Sequence, residues 1–234
     1  MLEVRNLDVS RGGLQVLWDV SMDVKKNEIV ALIGSNGAGK TTFLSTLVGL
    51  LKPSSGHVFF NEKNITALPT YKYVNLGISF VPEDRKLFSN CSVRENLVLG
   101  AYKSKEKSDK KVLLEGVYEI FPVCKHRDKQ AAVTLSGGEQ RMLAIARSMM
   151  SSPELLILDE PSQGLSPRMA FEVFKTLEKL RDRGVSILLA EQNVHHALEF
   201  SDRTYIMETG KVTLEGKSSE LVGNDHIREA FLGV

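Results

Sequence analysis

Nine residues, GSNGAGKTT (34–42), hold the densest chemistry in this chain. They follow an apolar run, EIVALIG (28–34), and open a helix-like stretch, KTTFLSTLVGLL (40–51). The spacing is G-x-x-x-x-G-K-T in strand-to-helix context, which is what a phosphate loop requires. Glycines let successive backbone N–H groups turn inward around phosphate oxygens, and the helix start adds its positive end. The expected nucleotide-binding set is Gly34, Ser35, Asn36, Gly37, Ala38, Gly39, Lys40, Thr41 and Thr42. Lys40 would reach the β- and γ-phosphates, and the Thr41 hydroxyl would ligate Mg²⁺. Far along the chain, LLILDEPSQGLSP (155–167) ends a buried-looking strand in two carboxylates. Asp159 is placed to hold the Mg²⁺ shell, and Glu160 to orient or deprotonate an attacking water.

A third segment, LSGGEQRMLAIARSMM (135–150), raises a different question. Met142, Leu143, Ile145, Ala146, Met149 and Met150 fall at helical spacing, and Ser136 with Glu139 forms a capping box. Gly137 and Gly138 add nothing to a helix start, yet small residues there leave backbone N–H groups that an anion can approach.

The elements that must position these groups alternate. EIVALIG, GISFV (77–81), LLILD (155–159) and VSILLA (185–190) read as central strands of a mostly parallel sheet with helices on both faces. A helix over 168–183 is expected to turn Phe171, Phe174, Leu177 and Leu180 inward and to stop at Gly184. LEVRNLDVS with VLWDVSMDV near the N-terminus, and RTYIMETGKVTLEG near the C-terminus, read as antiparallel pairs. Trp18 is expected to be a packing residue. Between about 85 and 145 strand signals vanish. The expected architecture is therefore a single domain over 1–234, with an α/β core and antiparallel β subdomain in 1–84 and 146–234. A helical lobe is inserted over 85–145.

Bulk properties narrow the function. The net charge of +1 gives no electrostatic case for a nucleic-acid partner. Cys91 and Cys124 stand alone and read as two plain thiols of a reducing compartment. No apolar run approaches a membrane span and the first residues show no secretory pattern, so membrane contact is expected through a partner. The tract KSKEKSDKK (103–111) reads as a solvated loop or exposed helix start.

Taken together, the phosphate loop, LSGGEQ and LLILDEPSQGL resemble the ATP-binding cassette family in order and spacing. The resemblance implies an Mg²⁺-dependent ATPase whose two subunits pair head to tail. Ser136, Gly137 and Gly138 of one would then close on ATP held by the other. ALIGSNGAGKTT, GISFVPEDRKLF, SVRENLVLGAY and AEQNVHHALEFSDRTYIMETG resemble the short ATPase subunit of branched-chain amino acid importers. That implies a peripheral position on the cytoplasmic membrane face, with transmembrane permeases and, indirectly, an extracytoplasmic solute-binding protein. It also implies a second ATPase subunit of different sequence, although a homodimer stays open. Glu83, in VPE, stands where most cassettes have Gln, in the loop that senses Mg²⁺ and γ-phosphate and contacts the permease. Leu87, Phe88 and Val93 give LFSNCSVRENL the exposed apolar and aromatic mix such a contact would want, and ordinary packing within the lobe is the other reading of the same residues.

Three positions depart from the wider pattern. Gln192 stands at the switch His and can donate to a γ-phosphate but cannot take a proton; His195 and His196 are read as surface residues. Ser166 replaces an Asp after Glu160. Arg11 replaces the adenine-stacking aromatic, and a guanidinium plane can also stack on a base. Two alternatives remain at this point: an ATP-binding clamp with little turnover of its own, or an importer ATPase for urea, amides or another amino acid.

Overall fold

The structure, a computed structural model, describes residues 1–102 and 106–222. Its central layer follows from strands that are apolar throughout. In β3 (Ile29–Ile33), β7 (Leu155–Asp159) and β8 (Ser186–Glu191) every residue is buried, as strands covered on both faces must be. Neighbouring residues point to opposite faces. Ile29, Ala31, Ile33, Leu156, Leu158, Ile187 and Leu189 therefore join one core. Val30, Leu32, Leu155, Ile157, Leu188 and Ala190 join a second core on the other side. With β6 (Ile78–Val81), β9 (Arg203–Glu208) and β10 (Lys211–Lys217), these strands form a sheet of order β10–β9–β3–β8–β7–β6. The RTYIMET segment is thus more than half of a hairpin: β9 also pairs parallel with β3.

A separate antiparallel sheet covers the second core. It consists of β1 (Leu2–Arg11), β2 (Leu14–Val24), β4 (Ser55–Phe60) and β5 (Lys63–Asn64), in the order β2–β1–β4–β5. The sequence pattern had not pointed to β4 and β5. The two sheets are tied by the Arg203 guanidinium, which pairs with Asp23 at 2.9 Å. Trp18 adds a backbone hydrogen bond to the Gly210 carbonyl at 3.0 Å and lays its ring against Gly210.

Helix α1 (Lys40–Leu47) follows β3. Between β6 and β7 every regular element of the described residues is helical: α2 (Val93–Gly100), α3 (Lys107–Ile120), α4 (Pro122–His126), a 3₁₀ turn at Ala132–Thr134, and α5 (Gly137–Met149). The start of the 103–111 tract lies outside the described residues. Helix α6 (Pro167–Asp182), α7 (Val194–Phe200) and α8 (Ser218–Leu221) complete the chain. No helix among the described residues is long and apolar enough to cross a membrane.

Two expectations about exposure are corrected. Phe171 is 42% exposed; the buried stripe of α6 runs through Ala170, Val173, Phe174, Leu177 and Leu180, one position off it. It packs edge-on against Phe200 at the margin of that stripe. Val93 is fully buried, because the Ser92–Glu95 capping box starts α2 there and sets Val93 beside Leu97 on its inner face.

Parallel pairing sets the site. Register places Ile33 beside Glu191 and Asp159 beside Ala190. The C-terminal ends of β3, β7 and β8 therefore emerge along one sheet edge, where open α/β sheets bind ligands.

Candidate functional site

The loop after β3 is shaped by contacts that exclude side chains. A Cβ on Gly34 would lie 2.4 Å from the Met207 carbonyl oxygen. Gly39 has φ +109 and caps α1 without any side-chain hydrogen bond. The first N–H groups of α1 are therefore left to a ligand, at the positive end of the helix. Lys40, almost fully buried, reaches back over the loop: its ammonium donates to the Gly34 and Ser35 carbonyls at 2.6 and 3.2 Å. The same ammonium pairs with Glu160 Oε1 at 3.0 Å.

Glu160 is fixed from every side. Its backbone N–H donates to the Ala190 carbonyl at 2.9 Å, and its Oε2 accepts from the Gln192 N–H at 3.1 Å. Its φ of +47 is left-handed, an uncommon conformation for a residue with a Cβ. Gln192 thus meets Glu160 through its backbone, while its side chain is exposed.

Asp159 is 1% exposed, and its Oδ1 has no hydrogen-bond partner. Burial raises its pKa, the neighbouring Glu160 and Glu83 carboxylates add to the rise, and the Thr41 hydroxyl opposes it. A bare carboxylate oxygen, a hydroxyl and a further carboxylate form the hard oxygen set that suits Mg²⁺, so these residues fit that ion. Next to them lies Glu191, buried and accepting from the Ser162 N–H at 2.9 Å. Burial pushes its pKa up to about 7. Opposite is Arg141, 1% exposed, which donates to the Pro82 and Glu83 carbonyls at 3.3 and 3.0 Å. The sequence reading had singled out neither Glu191 nor Arg141. Each sits beside a recognised motif, but only the fold shows that both are buried.

One cleft gathers Arg11, Ser35, Asn36, Gly37, Gly39, Lys40, Thr41, Thr42, Glu83 and Glu160. Val16 and Gln163, which the sequence had not indicated, line it too. Ser136, Gly137 and Gly138 do not. Ser136 caps α5: its hydroxyl accepts from the Glu139 N–H at 3.3 Å, and Glu139 accepts from the Ser136 N–H at 2.9 Å. Ser136 and Gly137 are exposed. The two glycines differ. A Cβ at Gly138 would press into the Met169 side chain, the nearest atom 2.5 Å away. At Gly137 it would meet only the tip of Arg85, no closer than 3.6 Å. Gly138 thus has a packing reason and Gly137 has none.

The remaining candidates are placed as follows. Ser166 caps α6, its hydroxyl accepting from the Met169 N–H at 3.4 Å; Ser and Asp are both good caps, so the loop keeps its shape without the charge. His195 is exposed, but His196 is partly covered by the Phe174 and Phe200 rings. Cys124 is buried with its thiol pushed up to about 12, which makes it unreactive.

Residues 17–163 match the ABC transporter family. The chain is 43% identical over its whole length to the high-affinity branched-chain amino acid transport ATP-binding protein BraG of Pseudomonas aeruginosa, all of which is covered. It is 39% identical to the probable branched-chain amino acid transport ATP-binding protein LivF of Archaeoglobus fulgidus, with 100% of this chain and 99% of the relative covered. It is 32% identical to the lipopolysaccharide export system ATP-binding protein LptB of Escherichia coli K12, covering 99% and 97%. Among solved structures, the ADP conformation of MJ1267, an ATP-binding cassette of an ABC transporter, superposes with a TM-score of 0.87 at 25% identity, covering 100% and 99%. The chain belongs to the ABC transporter family, and it is an ATP-binding, ATP-hydrolysing subunit of the P-loop fold.

Proposed function

We propose that this ABC ATPase powers an importer of branched-chain amino acids, working as one half of a head-to-tail pair on the cytoplasmic face of permease subunits. The full-length likeness to BraG and LivF supports the substrate class. LptB relatives carry the alternative, a different cargo on the same engine. The solute would reach the permeases from an extracytoplasmic binding protein, and no nucleic acid is involved. The permease-docking reading rests on an apolar cleft lined by Leu50, Tyr73, Phe88, Leu99 and Tyr102, beside the start of the helical lobe. Within it, Leu50, Phe88, Leu99 and Tyr102 stay substantially exposed. In this reading 1–84 and 146–234 act as the nucleotide-binding core and 85–145 as the lobe that carries the signature helix.

The observation that carries the paired arrangement is the separation of Ser136 and Gly137 from the phosphate-loop cleft, both facing outward. An anion-ready helix start that cannot reach its own chain's nucleotide is built for another's. Gly34 to Thr42 would cradle the phosphates, and Arg11 with Val16 would flank the base. Thr41, Asp159 and Glu83 would hold Mg²⁺, which when bound neutralises phosphate charge. Lys40 cannot serve phosphate and Glu160 together at full strength. Nucleotide binding therefore draws the ammonium off Glu160 and leaves that carboxylate, still anchored by the Gln192 N–H, to accept a proton from the attacking water. The Gln192 amide would donate to the γ-phosphate.

The test is Mg²⁺-ATP hydrolysis by the purified chain against its own concentration. A rate rising with the square of concentration is expected if two copies complete each other's sites. If the partner is a different ATPase, the chain alone stays near zero, and adding that subunit restores turnover. A rate strictly proportional to chain concentration at all dilutions would overturn the paired site. Leucine uptake by the reconstituted transporter tests the cargo.

A further inference from the structure

The loop from Pro82 to Lys86 has little that holds it from within. Arg85 and Lys86 both have positive φ, at 64 and 45, a strained pair for residues with side chains. Its internal contacts are two tight turns, Arg85 N–H to the Pro82 carbonyl and Lys86 N–H to the Asp84 carbonyl, and one exposed ion pair, Lys86 to Asp84 at 2.6 Å. The carbonyls are held from outside by one helix. Arg141 of α5 donates to those of Pro82 and Glu83 at 3.3 and 3.0 Å. Arg147, further along the same helix, donates to those of Arg85 and Lys86 at 3.1 and 2.7 Å. Gln140 accepts from the Arg85 guanidinium at 2.8 Å.

The two arginines are not equivalent. Arg147 touches the outer end of the loop and lies over the Phe88 ring in the apolar cleft. Arg141 grips the inner end, where Glu83 lines the nucleotide cleft. It is among the largest fully buried side chains in the chain, and its Nε has no partner. Burying a guanidinium with a donor left over is costly, and here the charge stands among the Glu191, Glu83 and Asp159 carboxylates that favour it. The guanidinium presents its donors in a rigid planar fork, so it fixes the spacing and orientation of the two carbonyls, which a compact, freely rotating ammonium does not.

We propose that Arg141 is a positioning residue that sets Glu83 at the metal edge of the site, so that the start of α5 and the Glu83 loop shift as one piece. The proposal rests on the reading of Glu83 as an Mg²⁺ ligand. It makes the signature helix report its position to the metal within its own chain, while its tip serves the partner's nucleotide.

The test compares affinity for a fluorescent, non-hydrolysable ATP analogue in EDTA and in Mg²⁺. In Arg141→Lys the tightening by Mg²⁺ should fall about tenfold, the size seen when the support of a metal ligand is lost. Metal-free affinity should stay unchanged, and Arg147→Lys should leave the tightening intact. Tightening retained in Arg141→Lys but lost in Glu83→Ala, which removes the ligand oxygen altogether, overturns the role of Arg141 and leaves the metal reading standing. Tightening retained in Glu83→Ala overturns both. If Arg141→Lys does not fold, hydrogen exchange on the unaltered chain decides. Addition of Mg²⁺ with the analogue should change protection over 82–86 and over the first turns of α5 together, and a change confined to the loop would overturn the coupling.

Discussion

Two helices of this chain have glycine at their start, and they begin in opposite ways. Helix α1 has Gly39 at its cap with no side-chain hydrogen bond, and Lys40 and Thr42 of its first turn are buried. Helix α5 has a complete capping box, and Ser136 and Gly137 at its tip stand in the open. The first start is incomplete as protein and needs an anion to satisfy its donors. The second is complete as protein and can exchange its cap for an anion when one is brought to it. On the proposed reading the difference divides the work: the α1 corner would hold nucleotide, and the α5 tip would meet nucleotide held by a partner.

The largest effect that would sharpen this contrast is at the α1 corner. Glu160→Gln should cut hydrolysis by about 10²–10⁴ while ATP affinity holds or rises, since Lys40 is released from its 3.0 Å pairing with Glu160. Single-turnover hydrolysis and equilibrium binding separate the two. An unchanged rate would remove Glu160 as the base.

Gly137→Ala probes the other start. The fold has space for the methyl group, and alanine is better than glycine within a helix by up to about 1 kcal/mol. Thermal stability should therefore hold or rise slightly. If a partner's phosphate must approach that backbone, hydrolysis should still fall by about tenfold or more, approaching the loss of one anion-facing donor. Stability and activity falling together would mean Gly137 serves only the fold, and the contrast between the helix starts would collapse.

What could be read in advance divides along similar lines. The phosphate loop and the strands ending in Asp159 and Glu191 were legible because continuous apolar runs and fixed glycine spacing are local signals. The capping box at Ser136 was legible for the same reason. Strand β4 escaped because SGHVFF is short and alternates only weakly, and its pairing with β1 is a long-range fact. Phe171 was misplaced because three- and four-residue spacing defines a stripe but not its edges. Arg141 and Glu191 were passed over because charged residues are expected outside. Their burial becomes visible only when α5, the 82–86 loop and the end of β8 converge. Val16 joined the cleft from a strand with no motif of its own, and Gln163 from the turn after Glu160, where the two carboxylates had drawn the reading.

The third effect is one of stability, and it asks whether the α1 corner stores charge that the α5 tip does not. Glu191 is buried, and its pKa is raised from 4.5 to about 7. The folded chain therefore binds this proton more tightly than the unfolded chain does. Between those two values stability must decline as pH rises, and above the higher one the full penalty is present, about 3 kcal/mol for a shift of this size. Glu191→Gln cannot ionise, yet its side-chain oxygen can still accept from the Ser162 N–H. Unfolding followed at pH 5 and pH 8 should show the variant gaining on the parent chain only at pH 8. Ser136→Ala should lose about 1 kcal/mol of cap at either pH, because the lowered Glu139 carboxylate is ionised at both. Parallel losses or gains for the two variants would mean the carboxylate beside Glu160 is compensated within the chain. A gap that opens with pH for Glu191→Gln alone would mean that the nucleotide corner is held under electrostatic tension that a bound cation relieves.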